Sequence, residues 1–422
     1  MTVIIYLVFV LFSVLLLKNY RLAIYTLSGW CLLIQEITFP GVPLNLFDIL
    51  AIEALVIFLW KKPKHSRMFY TYPFILPTIL LILSLLMTNY VGAIKHWPTM
   101  IGFSISNYIF PILLWNIVTT KEDVMRFTQI SICFFFILTA YGIIEVLLGY
   151  NPLIRWMIST NSFAGNIIDS DRFRFGFKRI QSFMVMNGAL GVSCSLFFLF
   201  LSYINNEMKG FWGNNKHLSI LPILLLLNIL FTGTRSCYVT FAITLLYFAQ
   251  MKILKSTKFY LLCIVILAIA VTNGDLLNEI WNSFSDTESV SGSNSDMRAN
   301  QFATAMYFMN QNLFFGNGYN YTYEYVAVNF HNDILGAESV WFPLMIDQGL
   351  FGVITYAFFA FFCLVYCFKK KNKACFFMTL AFFVAKTLTT VSGMNKAYFL
   401  IYLVVMFRAS IIKNNSFKEQ RL

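Results

Sequence analysis

Arginine residues beside apolar stretches are the most chemically informative feature of this 422-residue sequence. Arg235 stands between two apolar runs, and Arg298 precedes Ala305 by seven residues in a segment with helical periodicity. A guanidinium group offers a planar fork of N–H donors that fits the oxygens of a phosphate or a carboxylate. Since a charge against apolar surroundings requires a partner, each arginine predicts either a protein carboxylate or a bound anion. The simpler interpretation of Arg235 is a side chain that ends a helix and extends to water.

A second basic group lies in residues 172–179, where Arg172, Arg174, Lys178 and Arg179 are interspersed with phenylalanine. Rings facing acyl chains and cations facing phosphates would suit a segment at a membrane surface. An anionic substrate is one explanation for this charge, and an anchor to ordinary anionic headgroups is the simpler alternative. Nucleic acid is a less suitable partner, because the segment is predicted to lie outside the cytoplasm.

Two downstream residues, His331 and Glu338, are candidate general bases. An imidazole can take up a proton near neutral pH, although a lone histidine is also a common loop residue. Glu338 begins the next apolar segment and Asp347 lies within it, where a carboxylate requires a reason to be. Both are alternative bases or partners for the arginines. The sequence predicts no metal and no cofactor, because the outer segments contain no P-loop and no His/Asp cluster with metal-ligand spacing.

The composition determines which elements carry these residues. Hydrophobic residues make up 59% of the chain and charged residues 12%, and runs such as 220–230 and 261–271 contain no charge. Such a chain is a membrane protein rather than a soluble one. Backbone groups in lipid must be hydrogen-bonded within the membrane, and runs of about 15–20 apolar residues are too long for barrel strands, so helices are predicted.

The predicted fold is an all-α polytopic membrane protein, in which residues 1–422 form a single membrane domain of about 12–13 transmembrane helices. The first segment has no basic n-region, which favours an uncleaved span over a signal peptide. The candidate spans are 2–17, 22–37, 46–60, 74–92, 100–118, 127–148, 183–204, 218–232, 236–250, 259–273, 339–367, 374–391 and 397–411.

The distribution of Lys and Arg predicts the orientation. Connections at alternate ends of the spans contain 21 of these residues, which places those connections in the cytoplasm. Three features then lie outside: a basic loop over 149–182, a tight turn at 233–235 and a large loop over 274–337. We expect the large loop to contain short helices and the catalytic residues. One of these helices begins near residue 295 and places Phe302 and Ala305 on the same face as Arg298.

Several short motifs follow one another between about residues 170 and 355. They are Arg179-x-x-Ser182-Phe183 before a span with Gly188 and Gly191, Thr232-Gly233-Thr234-Arg235-Ser236, Arg298, Leu313-Phe314-Phe315-Gly316-Asn317-Gly318, His331-Asn332 and Gly349-Leu350-Phe351-Gly352. Their order resembles that of the O-antigen polymerase and ligase superfamily. Members are bacterial inner-membrane glycosyltransferases, either Wzy-type polysaccharide polymerases or O-antigen ligases, that use undecaprenyl-pyrophosphate-linked glycans.

The resemblance implies roles for individual residues. Arg179, Arg235 and Arg298, with Arg174 beside them, are candidates to hold the pyrophosphate. His331 is a candidate to orient or deprotonate the acceptor hydroxyl. The resemblance also implies an architecture like that of GT-C glycosyltransferases.

One interval departs from the ligase-like pattern. There the His-Asn pair lies closer to the Gly-x-x-Gly than it does here, where sixteen residues separate Asn332 from Gly349. Glu338-Ser339 occupies this interval, as a glutamate-serine pair does in some polymerases. The departure favours the polymerase branch and makes Glu338 the alternative base.

The predicted function is therefore polymerisation of undecaprenyl-pyrophosphate-linked repeat units into O-antigen, capsular or exopolysaccharide at the outer face of the inner membrane. A sugar on a lipid pyrophosphate already has a good leaving group, so the enzyme requires cations on the departing charge and a base near the incoming hydroxyl. Four tyrosines could stack on sugar rings, although tyrosines at a membrane edge are also common anchors: Tyr319, Tyr321, Tyr323 and Tyr325.

Three alternative functions stay open. They are an O-antigen ligase that transfers glycan to lipid A-core, a flippase or other transporter of lipid-linked oligosaccharide, and a non-catalytic partner in polysaccharide assembly. The expected partners are the lipid-linked oligosaccharide, membrane lipids and a chain-length regulator, with no nucleic acid.

Overall fold

The computed structural model describes residues 2–33, 37–39, 41–61, 71–93, 95–159, 173–174, 177–208, 220–249, 295–334, 337–389 and 398–419. Over these residues the chain is almost entirely helical. Four of the described helices are long and apolar enough to cross a membrane, and shorter apolar helices accompany them. The predicted all-α polytopic membrane class is confirmed. The predicted span 259–273 and the beginning of the 274–337 loop lie outside the described residues.

The first eight helices precede a short hairpin. They are α1 (Thr2–Lys18), α2 (Tyr20–Trp30), α3 (Leu46–Lys61), α4 (Ile75–Val91), α5 (Trp97–Ser104), α6 (Phe110–Ile117), α7 (Lys121–Leu148) and α8 (Pro152–Ser159). A π-helical turn, Ile105–Ile109, joins α5 to α6, so that these segments form one continuous apolar helix. Two antiparallel strands follow in the 149–182 loop, β1 (Phe173–Arg174) and β2 (Phe177–Lys178).

The remaining helices of more than one turn carry most of the candidate site residues. They are α9 (Asn187–Glu207), α10 (Ile220–Phe231), α11 (Arg235–Ala249), α12 (Ser295–Gln311), α13 (Trp341–Lys369), α14 (Lys373–Leu388) and α15 (Tyr398–Glu419). Helix α14 packs on α9, α11, α13 and α15, and α13 in turn packs on α4 and α12. Helix α14 therefore connects the α9–α11 group with the α12–α13 group.

The prediction of a span over 22–37 is wrong at its C-terminal end, since α2 stops at Trp30. The chain then turns back at Gly41, whose φ is +80°. Cys31 and Leu32 are fully buried although they lie beyond the helix. Their apolar character reflects burial, which hydrophobicity alone does not distinguish from membrane-spanning helix.

Helix α13 is kinked at Gly349, whose φ of +60° and ψ of −158° are not helical. Residues 313–318 run beside the kink and replace the helical hydrogen bonds that it removes. Four bonds of 2.8–3.2 Å do this, from Leu350 to Leu313, Phe351 to Phe314, Asn317 to Ile346 and Gly318 to Asp347. Because backbone groups in a membrane must be satisfied within the protein, this pairing makes the kink tolerable.

The Gly-Asn-Gly motif therefore approaches protein backbone. A Cβ atom on Gly316 would lie 2.3 Å from the Asp347 carbonyl, and one on Gly349 would lie 2.7 Å from the Gly316 nitrogen. At these glycines the chain turns sharply, and two of its segments approach each other closely.

Candidate functional site

Arg179 and Arg235 meet at the turn between α10 and α11. The Arg179 guanidinium donates from Nε to the Thr232 carbonyl at 3.2 Å and from Nη2 to Thr234 Oγ1 at 3.0 Å. Arg235 is the first residue of α11 and follows Thr234 directly. Both arginines are half-buried. Two cations that are far apart in the sequence are thus brought to one short turn, Arg179 by its side-chain hydrogen bonds and Arg235 by its position in the chain.

A buried ion pair fixes the segment that carries Arg179. Lys178 Nζ lies 3.6 Å from Glu145 Oε1, and both side chains are 0% exposed. The second carboxylate oxygen accepts hydrogen bonds from the N–H groups of Gln181 and Ser182, at 3.1 and 2.7 Å. Burying two charges is costly unless they are paired and hydrogen-bonded, as they are here. Glu145 therefore fixes the chain on both sides of Arg179.

The position of Lys178 corrects the sequence interpretation of residues 172–179. That interpretation directed these cations towards phosphate groups, and for Lys178 it is wrong because the ammonium group lies inside the protein. The signal in the sequence was Glu145, a carboxylate near the end of the predicted span 127–148, where a charge requires a partner. Arg174 lies on β1 and its binding role stays a prediction, whereas Arg172 lies outside the described residues.

Arg298 and Glu338 form a second charged pair. Arg298 Nη2 lies 3.7 Å from Glu338 Oε2 and donates to the Leu388 carbonyl at 3.2 Å. The backbone N–H of Glu338 donates to Gln301 Oε1 at 3.2 Å, so that α12 holds Glu338 at two points. Of the two partners predicted for Arg298, the structure supplies the carboxylate, and this carboxylate is a candidate base.

The buried face of α12 is shifted from the predicted one. Ala305 is buried and Arg298 half-buried, as expected for one face, but Phe302 is 51% exposed whereas Gln301 is fully buried. Gln301 is polar and therefore did not contribute to an apolar pattern. Its side-chain oxygen is nevertheless satisfied inside the protein by the backbone of Glu338.

The two charged groups lie at the same end of the helix bundle, around the last turn of α14. A Cβ atom at Gly188, in the first turn of α9, would lie 3.2 Å from Thr389 Oγ1 and 3.9 Å from Thr234 Cγ2. Thr389 directly follows Leu388, whose carbonyl binds Arg298. A chain of contacts therefore connects the α10–α11 turn, which holds Arg179 and Arg235, with Leu388, which binds Arg298.

Residues 220–357 match the family described as O-antigen ligase. The resemblance to the O-antigen polymerase and ligase superfamily is confirmed. The matched region includes α10, α11, α12 and the kinked part of α13. Four candidate site residues lie in it: Arg235, Arg298, His331 and Glu338. No curated protein matches the chain.

Within residues 220–357, His331 begins a single helical turn, His331–Ile334, that packs on α12. Ala337 has a φ of +50°, so that no continuous helix connects this turn to Glu338. The structure thus brings Glu338 to Arg298 through a side-chain contact and packs the turn that begins at His331 on the same helix. The catalytic role of each residue stays a prediction.

Asp347, which the sequence also offered as a base or an arginine partner, anchors a loop within residues 220–357. Its buried Oδ1 accepts hydrogen bonds from the N–H and the hydroxyl of Thr322, both at 2.7 Å. These bonds attach a π-helical turn, Thr322–Val326, to α13. The attachment accounts for a carboxylate within an apolar span.

Metal independence was predicted partly from residues that the structure does not describe. Among the described residues, no group of three or more His, Cys, Asp or Glu side chains could hold a metal ion. The premise that the outer segments contain no Asp-x-Asp and no other metal-ligand spacing is wrong, because Asp169 and Asp171 form an Asp-x-Asp pair in the 149–182 loop. The pair lies outside the described residues, so transfer without a metal stays a prediction.

Proposed function

We propose that this chain polymerises undecaprenyl-pyrophosphate-linked oligosaccharide repeat units into O-antigen, capsular or exopolysaccharide. The reaction is a metal-independent glycosyl transfer at the outer face of the bacterial inner membrane. The observation that carries the proposal is the convergence of Arg179, Arg235, Arg298 and Glu338 around the last turn of α14. The partners in this proposal are the lipid-linked oligosaccharide, the surrounding membrane lipids and a chain-length regulator.

The proposed transfer forms one glycosidic bond and breaks one bond to phosphate. The acceptor hydroxyl oxygen attacks the anomeric carbon of the donor sugar, and the bond from that carbon to the pyrophosphate oxygen breaks. The lipid pyrophosphate leaves with the electron pair, and the guanidinium groups stabilise the charge that it gains. The hydroxyl proton passes to a base, either His331 or Glu338.

The Arg298–Glu338 pair is suited to a change of partner. Both side chains are partly exposed and the charged atoms are 3.7 Å apart, so the pair contributes only about 0–1 kcal/mol. A pyrophosphate carries more charge than a carboxylate and also fits the guanidinium fork. In the proposal, Arg298 turns from Glu338 to the pyrophosphate, which makes the carboxylate available to accept a proton.

An O-antigen ligase acting on lipid A-core is the second candidate, favoured by the description of the family that matches residues 220–357. The long interval between Asn332 and Gly349, with Glu338 on Arg298 inside it, favours the polymerase instead. A transporter would place its cations along a central path, whereas the three arginines of this site gather at one end of the bundle.

Purified protein in lipid nanodiscs, supplied with one defined lipid-linked repeat unit, tests the proposal. We expect a ladder of lipid-linked products that differ by whole repeat units. Transfer to added lipid A-core without elongation would identify a ligase. Movement of the unit between leaflets without a new glycosidic bond would identify a transporter.

Chelation of divalent cations tests the metal-independent step separately. We expect the ladder to be unchanged when EDTA is added, because the arginines supply the positive charge. Loss of the ladder with EDTA, and its recovery with added Mg²⁺ or Mn²⁺, would contradict this step and direct attention to Asp169 and Asp171.

A further inference from the structure

A cavity of about 150 Å³ lies between α4, the α5–α6 helix, α13 and α14. Aromatic and apolar side chains form most of its wall, and Asn107, Asp347 and Lys386 contribute buried polar groups. Val340 also lines it, and the N–H of Val340 donates to the Lys386 carbonyl at 2.9 Å. Since Val340 follows Glu338 by two residues, the cavity begins next to a candidate base.

Lys386 is the basic side chain in the cavity wall. The residue is 4% exposed and lies in the last turn of an otherwise apolar helix, α14. Its Nζ is 5.7 Å from the ring centre of Phe382, which also lines the cavity. An ionisable residue at membrane depth is costly to maintain and commonly marks a substrate path. Asp347 Oδ1, on the same cavity, is engaged by Thr322.

The two π-helical turns that the structure describes both line this cavity. Ile105–Ile109 supplies Asn107 and Thr322–Val326 supplies Tyr323. A π-helical turn inside a helix is rare and is frequently found at functional sites. Asn107 is 5% exposed, and its Oδ1 has no hydrogen-bond partner among the described residues. A buried acceptor on a cavity wall requires a donor, which a ligand hydroxyl can supply.

The four tyrosines of the 319–325 segment divide into two pairs. Tyr321 and Tyr325 pack on Phe308, with ring centroids 6.1 and 6.5 Å from it. Tyr319 and Tyr323 line the cavity instead. An aromatic ring offers an apolar face to a sugar ring, while nearby polar groups bind the hydroxyls. Of the four tyrosines, only Tyr319 and Tyr323 therefore lie where a sugar ring in the cavity can stack on them.

We propose that the cavity binds one sugar residue that carries a carboxylate. The carboxylate pairs with Lys386, a sugar hydroxyl donates to Asn107 Oδ1, and the ring lies against Tyr319 or Tyr323. Pockets for drug-sized ligands measure roughly 300–1,000 Å³, so a cavity of about 150 Å³ accommodates a single ring and not an oligosaccharide. The assignment rests on the proposed function in one respect, that the sugar belongs to the repeat unit.

Direct binding to the full chain in lipid nanodiscs tests this assignment without requiring transfer. The probes are the methyl glycosides of glucuronic and galacturonic acid, each measured beside its neutral counterpart by saturation-transfer NMR. We expect the acidic member of at least one pair to bind roughly tenfold to a hundredfold more tightly, because only it forms the charge-assisted contact with Lys386.

Substitutions in the wall assign the preference to particular residues. Lys386→Met should remove it and Lys386→Arg should keep it, while Asn107→Ala should weaken the acidic and neutral glycosides alike. Lys370→Met, at the exposed end of α13, is the matched control and should change neither. If Lys386→Met does not fold, weaker binding of both glycosides to Asn107→Ala supports the cavity, and unchanged binding overturns it.

Three results would overturn the assignment. They are equal affinity for acidic and neutral glycosides, a preference that survives in Lys386→Met, and binding of a short isoprenyl alcohol together with no binding of any glycoside. The proposed function can fail separately. A clear preference for the acidic glycoside together with no ladder from any lipid-linked unit would refute polymerisation and leave the sugar site standing.

Discussion

An arginine in this site acts through the direction of its N–H groups as well as through its charge. Arg179 is oriented by the Thr232 carbonyl and the Thr234 hydroxyl, and Arg298 by the Leu388 carbonyl and Glu338. A guanidinium has five N–H donors in one plane, so that a few anchoring bonds fix the direction of all the others. A lysine in the same place would bring the charge without this plane.

Replacement of Arg298 by lysine should therefore lower the transfer rate roughly 30- to 1,000-fold, which corresponds to about 2–4 kcal/mol of transition-state stabilisation. Arg235→Lys should do the same. The measurement is the rate of ladder formation with a defined substrate at equal protein level. Arg21→Lys, a half-exposed residue at the start of α2, is the matched control. Wild-type ladder length in Arg298→Lys would assign this arginine a structural role.

The two candidate bases should respond differently to substitution. His331→Ala should abolish detectable polymer, because removal of a general base costs roughly 100- to 10,000-fold in rate. Glu338→Gln should only reduce polymer, because it removes the charged partner of Arg298. Single-turnover rates at equal protein level measure both. If His331→Ala keeps near-normal turnover while Glu338→Gln is inactive, Glu338 is the base and the ligase-like mechanism does not carry over.

The sequence predicted residue types in this site better than their contacts. An arginine on a helix face that turns inward requires a partner, and this local argument predicted a carboxylate or a phosphate for Arg298. The Arg179 contact with Thr234 joins residues that are 55 positions apart, and no periodicity encodes it. Lys178 was misinterpreted for the same reason, because its partner Glu145 lies on another helix.

Among the elements, helix boundaries were predicted from apolar character. The observed boundaries differ from the predicted ones where polar or charged residues begin a helix. Helix α7 begins at Lys121 rather than at residue 127, because a capping box of Thr120 and Asp123 satisfies its first N–H groups. The first turn of α7 contains charged residues, so a search for apolar runs does not detect where the helix begins. The kink in α13 was not predicted, since Gly349 alone does not reveal that residues 313–318 pair with it.

The buried pair that ties β2 to α7 should be strongly non-additive. Glu145→Gln and Lys178→Met should each lower the free energy of unfolding by about 3–5 kcal/mol, because each leaves one buried charge unpaired. The double variant should be less destabilised than either single one, because no buried charge remains. Thermal unfolding in one detergent measures all three. Equal and additive losses would show that the pair does not act as a unit.

The kink in α13 predicts a contrast between two glycines with positive φ. Gly349→Ala should prevent accumulation of folded protein for two reasons. The φ of Gly349 is +60°, and a Cβ atom at this position would lie only 2.7 Å from the Gly316 nitrogen. Gly149→Ala has a similar φ of +72° but open space around the new Cβ, so it should cost only about 1–2 kcal/mol. Yield and melting temperature compare them. Equal behaviour would show that the close backbone approach is not required.

Over the whole molecule, most predicted spans correspond to helices, because membrane burial leaves a strong apolar signal in the sequence. The site does not follow from that signal. It depends on α14, which brings the first turns of α9 and α12 to its own last turn. Two segments far apart in the sequence meet there, and only the packed bundle shows that they share one end.

The orientation of this end in the membrane is the prediction on which the functional proposal depends. The 21 Lys and Arg residues assigned to the cytoplasm predict that reporter fusions at 63, 255 and 371 score cytoplasmic, and that fusions at 165 and 300 score extracytoplasmic. A cytoplasmic score at position 300 would contradict polymerisation at the outer face.

A difference between positions 165 and 300 would have another meaning. Position 165 lies in the loop that leads to Arg179, and position 300 lies in α12 beside Arg298. The described contacts place these two arginines at one end of the bundle, so both fusions should report the same side of the membrane. Opposite scores would therefore contradict the packing around α14 itself. This conclusion would hold whichever glycan the site transfers.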